Sequence, residues 1–171
     1  ESLRESEERY RLLAENATDV IWMMDMNLRY TYISPSTTRL TGFSVEEAMA
    51  LSLEETVTPA SREAIIKIMS EELALEERGA RDPNRSRVFE AELKCKNAST
   101  AWVEIQAAFL HDAAGKASGV LGVSRDITER RQAEEELRAS EQRMKAIADG
   151  SPIPQFVIGK GHEIIHWNRA L

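Results

Sequence analysis

The chain has 171 residues, of which 42% are hydrophobic and 30% charged, and it carries a net charge of −7. That composition suits one folded domain with additions and excludes a disordered chain, and the negative balance argues against a general nucleic-acid binder. The single cysteine, Cys95, leaves no internal disulfide and no cysteine-rich zinc site, and it fits a reducing, cytoplasmic setting.

The chain opens on Glu1 with no secretory leader, so a piece of a longer protein is expected. Its apolar runs are too short to span a membrane. Residues 1–17 read as an amphipathic helix, with Leu3, Ser6, Tyr10, Leu13 and Ala17 three or four apart. Residues 19–25 and 29–34 read as strands joined at Met26-Asn27-Leu28. A short helix runs from Ser36 to Leu40 and ends at Thr41-Gly42. Ser44-Val45-Glu46-Glu47 is a capping box that opens a second helix. Thr58-Pro59 opens the longest internal helix, with Thr as cap and Pro in the first turn. Its apolar face holds Ile65, Ile66, Ile68, Met69 and Leu73, and it ends near Gly79. Residues 80–87 form a polar loop whose arginines are read as solvated.

Three strands follow. Residues 88–96 place Phe89, Ala91, Leu93 and Cys95 on one side. Residues 102–110 place Val103, Ile105 and Ala107 on one face and Trp102, Glu104 and Gln106 on the other. Asp112–Gly115 makes the turn into residues 118–127. Asp126-Ile127-Thr128-Glu129 then reads as a capping box that starts a long helix with Ala133, Leu137, Ser140, Met144 and Ile147 on one stripe. The fold class is α+β: a five-stranded antiparallel sheet with helices on one face, flanked by N- and C-terminal amphipathic helices.

The two ends of the chain repeat each other. LRESEERYRLLA at 3–14 matches LRASEQRMKAIA at 137–148, and the match continues without a gap from 19–34 onto 153–168. One full unit and the start of a second are expected. The repeat bears on His162, Glu163 and His166, which spell H-E-x-x-H, the signature of zinc hydrolases. That motif needs a helix, where four residues rise about 6 Å along one face. On a strand they span about 13 Å, too far to share one ion. The overlay on Leu28–Ile33 and the Gly-Lys-Gly turn at 159–161 favour a strand, which leaves a zinc hydrolase as an alternative only.

Residues 31–47 (TYISPSTTRLTGFSVEE), Trp102-Val103-Glu104, the HDAAGK turn at 111–116, GVLGVSRDIT at 119–128 and the charged helix after it together resemble a PAS sensory domain, over roughly residues 18–128. The implied organisation is a helix at 1–17, a PAS domain at 18–128, a signalling helix at 129–149 and the truncated start of a second PAS domain at 150–171. The resemblance implies a non-enzymatic sensory and dimerisation module of a bacterial signalling protein such as a histidine kinase. A ligand-free structural spacer and a diguanylate cyclase module are the alternatives.

The cofactor is not identified. The family's covalent-flavin motif has no counterpart at 52–59, and the long helix lacks the histidine of haem-binding members. A non-covalent small ligand stays open, as does a filled core. With the family's geometry, strand alternation points Trp22, Met24, Tyr32, Ser34, Leu93, Ile105 and Ser124 inward, suiting a mostly apolar ligand with one polar end. Arg125, Asp126 and Thr128 stand where the last strand becomes the output helix and are the expected relay. A homodimer is expected through the flanking helices, along Leu3, Tyr10, Leu13, Leu137, Met144 and Ile147. The other expected partner is a downstream output domain of the same chain, with no membrane contact in this stretch.

Overall fold

The structure is a computed structural model that describes residues 14, 17–78, 85–150 and 156–167. The expectations for Leu3, Tyr10 and Leu13 lie outside the described residues. Two compact units divide at Thr128.

In the first unit, β1 (Val20–Asp25) and β2 (Tyr30–Ile33) are followed by α1 (Thr37–Thr41), α2 (Val45–Ala50), α3 (Leu53–Thr56) and α4 (Pro59–Glu77), then by β3 (Arg87–Lys94), β4 (Thr100–His111) and β5 (Ala117–Asp126). The strands form one sheet in the order β2-β1-β5-β4-β3, with every neighbouring pair antiparallel. The first and last strands therefore lie side by side in its middle. Val20, Trp22, Met24, Ala91, Val103, Ile105 and Val120 build the buried core, against which Leu40, Phe43, Met49, Ile65 and Met69 of the helical segment pack. One face of the sheet is thus closed by helices, as the alternation of β3 and β4 predicts.

Local chemistry sets most of the boundaries. The Ser44 hydroxyl accepts from the Glu47 amide at 3.2 Å, and the Glu47 carboxylate accepts from the Ser44 amide at 2.9 Å, closing the expected capping box. The one-turn helix α3 is an addition to the three helices expected, opened by the Glu55 carboxylate on the Ser52 amide at 2.8 Å. Thr58 differs from expectation. Its side chain makes no cap bond and instead donates to Ser61 at 3.2 Å. Ser61 in turn accepts from the Glu92 amide at 2.8 Å, which ties the start of α4 to β3.

The second unit holds α5 (Thr128–Gly150) and a hairpin of β6 (Phe156–Ile158) and β7 (Ile164–Trp167). That hairpin copies β1–β2 register for register. Trp22 faces Ile33, Met23 faces Tyr32 and Met24 faces Tyr30, with a bulge after Met23. Phe156 faces Trp167, Val157 faces His166 and Ile158 faces Ile164, with a bulge after Val157. The turns agree as well. Leu28 donates to the Asp25 carbonyl at 3.0 Å with φ 59°, and His162 donates to the Gly159 carbonyl at 3.0 Å with φ 65°. His162 thus stands in a turn and His166 in a strand, so the one-face helical arrangement that H-E-x-x-H needs is not formed. No described helix is long and apolar enough to cross a membrane.

Candidate ligand cavity and exit junction

A cavity of about 100 Å³ lies between the inner face of the sheet and the helices. Trp22 organises its wall. The indole Nε1–H donates to Ser124 Oγ at 2.8 Å in a buried bond from β1 to β5. The ring lies across Gly122, which faces Trp22 in register, and a Cβ built on Gly122 would fall on the indole. The edge of Tyr30 meets the indole with centroids 6.3 Å apart and planes at 87°. Burial pushes the Tyr30 phenol up to about 12, against a smaller opposing effect of a hydrogen bond with Thr56.

Of the residues expected inside, Trp22, Met24, Leu93, Ile105 and Ser124 line the cavity together. Tyr32 and Ser34 do not. The bulge after Met23 adds a residue to β2, so Tyr30 and Ile33 turn inward and Tyr32 does not. Ser34 is fully buried, but its hydroxyl is spent on the backbone and a neighbour. It accepts from the Ile21 amide at 2.9 Å and bonds Ser36 Oγ at 2.7 Å. Sequence reasoning also missed Thr37, Phe89 and Phe109 of the wall. The apolar alternation of β3 and β4 carries a signal for the two phenylalanines. Nothing in the pattern marks Thr37.

One end of the cavity is charged. Arg85 forks onto the buried Glu72 at 2.6 and 3.0 Å. Arg87 reaches Glu72 at 3.2 Å and Glu71 at 3.0 Å, and His111 Nε2 lies 3.0 Å from Glu76. The reading of the 80–87 arginines as merely solvated is corrected: Arg85 and Arg87 bind α4 to the strands.

The junction after β5 is held at Trp102. The Trp102 carbonyl accepts from the Ile127 amide at 2.9 Å. Thr128 Oγ1 accepts from the Trp102 amide at 3.0 Å and lies 3.4 Å from the Trp102 carbonyl. Ile127 is buried between them in sequence. Asp126 Oδ1 accepts from the Thr128 amide at 2.8 Å, two residues on rather than the three of a capping box. Arg125 pairs with Asp19 at 3.1 Å, not with Asp126. The hydrogen bonds that Arg125 donates to Asp19, then the charge of Asp19, raise the Arg125 guanidinium above its usual value. The strand entering the sheet and the strand leaving it are thus bridged at the same end.

Sheet order, one-sided helical cover and an interior cavity define an α+β domain with a site between its sheet and its helices. The PAS fold family profile matches residues 8–127, and the chain belongs to the PAS family. It is similar to the sensor histidine kinase TmoS of Ectopseudomonas mendocina, 27% identical over 165 residues, covering 95% of this chain and 16% of that protein. It is also similar to the methyl sulfide methyltransferase-associated sensor of Methanosarcina acetivorans, 29% identical over 148 residues, covering 86% of this chain and 14% of that protein. The chain therefore spans a small part of these curated relatives. Among solved structures, the PAS domain of a protein from Colwellia psychrerythraea superposes with a TM-score of 0.60 at 21% identity, covering 72% of this chain and 98% of that one.

Proposed function

We propose that this PAS domain is the ligand-sensing module of a cytoplasmic signalling protein, a histidine kinase by its relatives, and that it relays occupancy of the cavity through Asp126-Ile127-Thr128 into α5. The observation that carries the reading is the position of Ser124. It forms the cavity wall, holds Trp22 at 2.8 Å and stands two residues before Asp126 on the same strand. A ligand shifts output only by its differential affinity for the two states, so it must act on an element that both share. β5 is that element. In the full-length protein, Asp126→Ala is expected to cost about 0.5–2 kcal/mol of stability through the lost amide contact. It should abolish the ligand-dependent change in autophosphorylation and leave the circular dichroism spectrum unchanged. A mutant that still switches as the natural protein does would remove the junction from the mechanism.

Dimerisation belongs to the same reading. Leu137, Met144 and Ile147 of α5 are 62%, 65% and 75% exposed, an apolar stripe that a second copy would cover. Replacing Leu137 and Met144 by Glu should convert a dimer to a monomer in sedimentation velocity. A dimer that persists would move the interface off this stripe. Residues 150–171 are read as the start of a second PAS domain, which the copied hairpin register supports.

A further inference from the structure

We infer that the cavity takes a small neutral molecule with an apolar body and one acceptor oxygen, a ketone or an alcohol, whose oxygen is received by the hydroxyls of Thr37 and Ser124. The inference rests on the ligand-sensing reading above and names the ligand class for it. Thr37 and Ser124 are 3% and 4% exposed, and both line the cavity. Ser124 Oγ accepts from Trp22, but its own hydrogen has no acceptor among the described residues. The main chain of Thr37 is satisfied: its amide donates to the Ser34 carbonyl and its carbonyl accepts from Thr41. The Thr37 hydroxyl has no hydrogen-bond partner among the described residues. Buried hydroxyls left in this state are rare and destabilising, and a pair of them lining one apolar cavity, one from the helices and one from the sheet, calls for a third group.

The two hydroxyls stand at the same end. Ser124 faces Val20 in register. Thr37 follows Ser36, whose hydroxyl donates to the carbonyl of Asp19 at 3.0 Å, beside Val20. Both hydroxyls are donors, so the group between them is an acceptor. At the other end, where His111 faces Ala117, the charged groups close on one another as Glu72 with Arg85 and Arg87, and Glu76 with His111. Lys94 also lines the cavity, with its ammonium donating to the Glu54 carbonyl at 2.9 Å, so a ligand anion would lose its water among apolar side chains and meet only a cation that is already hydrogen-bonded. Size sets the rest. An engineered apolar cavity of about 150 Å³ takes benzene, with its six heavy atoms, so about 100 Å³ admits a molecule of about four.

The test uses the 171-residue chain, labelled with nitrogen-15, and follows the Trp22 indole resonance, assigned with Trp22→Phe. Three probes share a four-atom frame: acetone, isobutene (which replaces the oxygen by a methylene) and acetate. Acetone is expected to shift the Trp22 resonance saturably and to bind at least about tenfold more tightly than isobutene, since donors built for an oxygen reject the analogue that lacks it. Thr37→Val and Ser124→Ala should each erase that preference while isobutene binding persists. Equal binding of the two neutral probes overturns the acceptor-oxygen class and leaves ligand sensing standing. Tightest binding of the carboxylate overturns neutrality. A folded spectrum that none of the three probes moves overturns the sensing reading itself, and this inference with it.

Discussion

Gly122→Ala is expected to lower the melting temperature by on the order of 10 °C or more. Two effects compete at this position. β5 is a central strand, and Ala fits a strand interior slightly better than Gly does. The Trp22 indole, however, occupies the space that the new methyl would need. Trp22 is 9% exposed and held at both ends, by Ser124 through Nε1 and by Tyr30 through its edge, so it cannot step aside cheaply. Overpacking of this kind costs about 1–3 kcal/mol. Displacing the indole also breaks the buried bond to Ser124, which adds about 0.5–1.5 kcal/mol. The sum of about 1.5–4.5 kcal/mol exceeds the gain in strand preference, and each kcal/mol moves a domain of this size by about 4 °C. A double-mutant cycle checks the cause. With Trp22→Leu already in place, Gly122→Ala should cost less than about 1 kcal/mol. If the cost is the same in both backgrounds, the indole is not what Gly122 accommodates.

The sequence made some of this legible for physical reasons that can be named. β3 and β4 pair without irregularity from Arg87–Ala107 to Lys94–Thr100, so a strict period of two puts Leu93 and Ile105 on the face that lines the cavity. β2 breaks that period at its bulge, and counting by twos then chose Tyr32 and Ser34 over Tyr30 and Ile33. The helix α3 spans four residues, too few to show a periodic signal. The Glu72–Arg85 fork joins residues 13 apart through a loop, a contact that neither composition nor periodicity encodes. The repeat was legible because hairpin chemistry is local: the same offsets produce the same turn and bulge in both copies.

Ser34→Ala is the second large effect expected, and it separates a structural role from a ligand contact. The order of the protons follows from the geometry. Ser36 has one hydroxyl hydrogen, and it goes to the Asp19 carbonyl at 3.0 Å. Ser36 Oγ can therefore only accept from Ser34 across their 2.7 Å contact. Ser34 Oγ in turn accepts from the Ile21 amide at 2.9 Å, while the Ser34 amide donates to the Ile21 carbonyl at 2.8 Å. This chain of bonds closes β1 onto the end of β2 at a residue with no exposed surface. Alanine removes two hydrogen bonds worth about 0.5–1.5 kcal/mol each and leaves the Ile21 donor poorly solvated, at about 1–3 kcal/mol. A loss of about 2–6 kcal/mol in urea denaturation is expected, with an unchanged m-value. Tyr32→Phe, a half-buried side chain that does not line the cavity, should stay within about 0.5 kcal/mol of the natural chain. Stability near the natural value combined with altered probe affinity in Ser34→Ala would return Ser34 to the ligand site. Because Asp19 also pairs with Arg125 at 3.1 Å, the same substitution should loosen the exit of β5. Hydrogen exchange at the Ile127 amide, which donates to Trp102, should then quicken together with that at Ile21. Faster exchange at Ile21 with none at Ile127 would show that the two ends of the sheet's central strands are not coupled through Asp19.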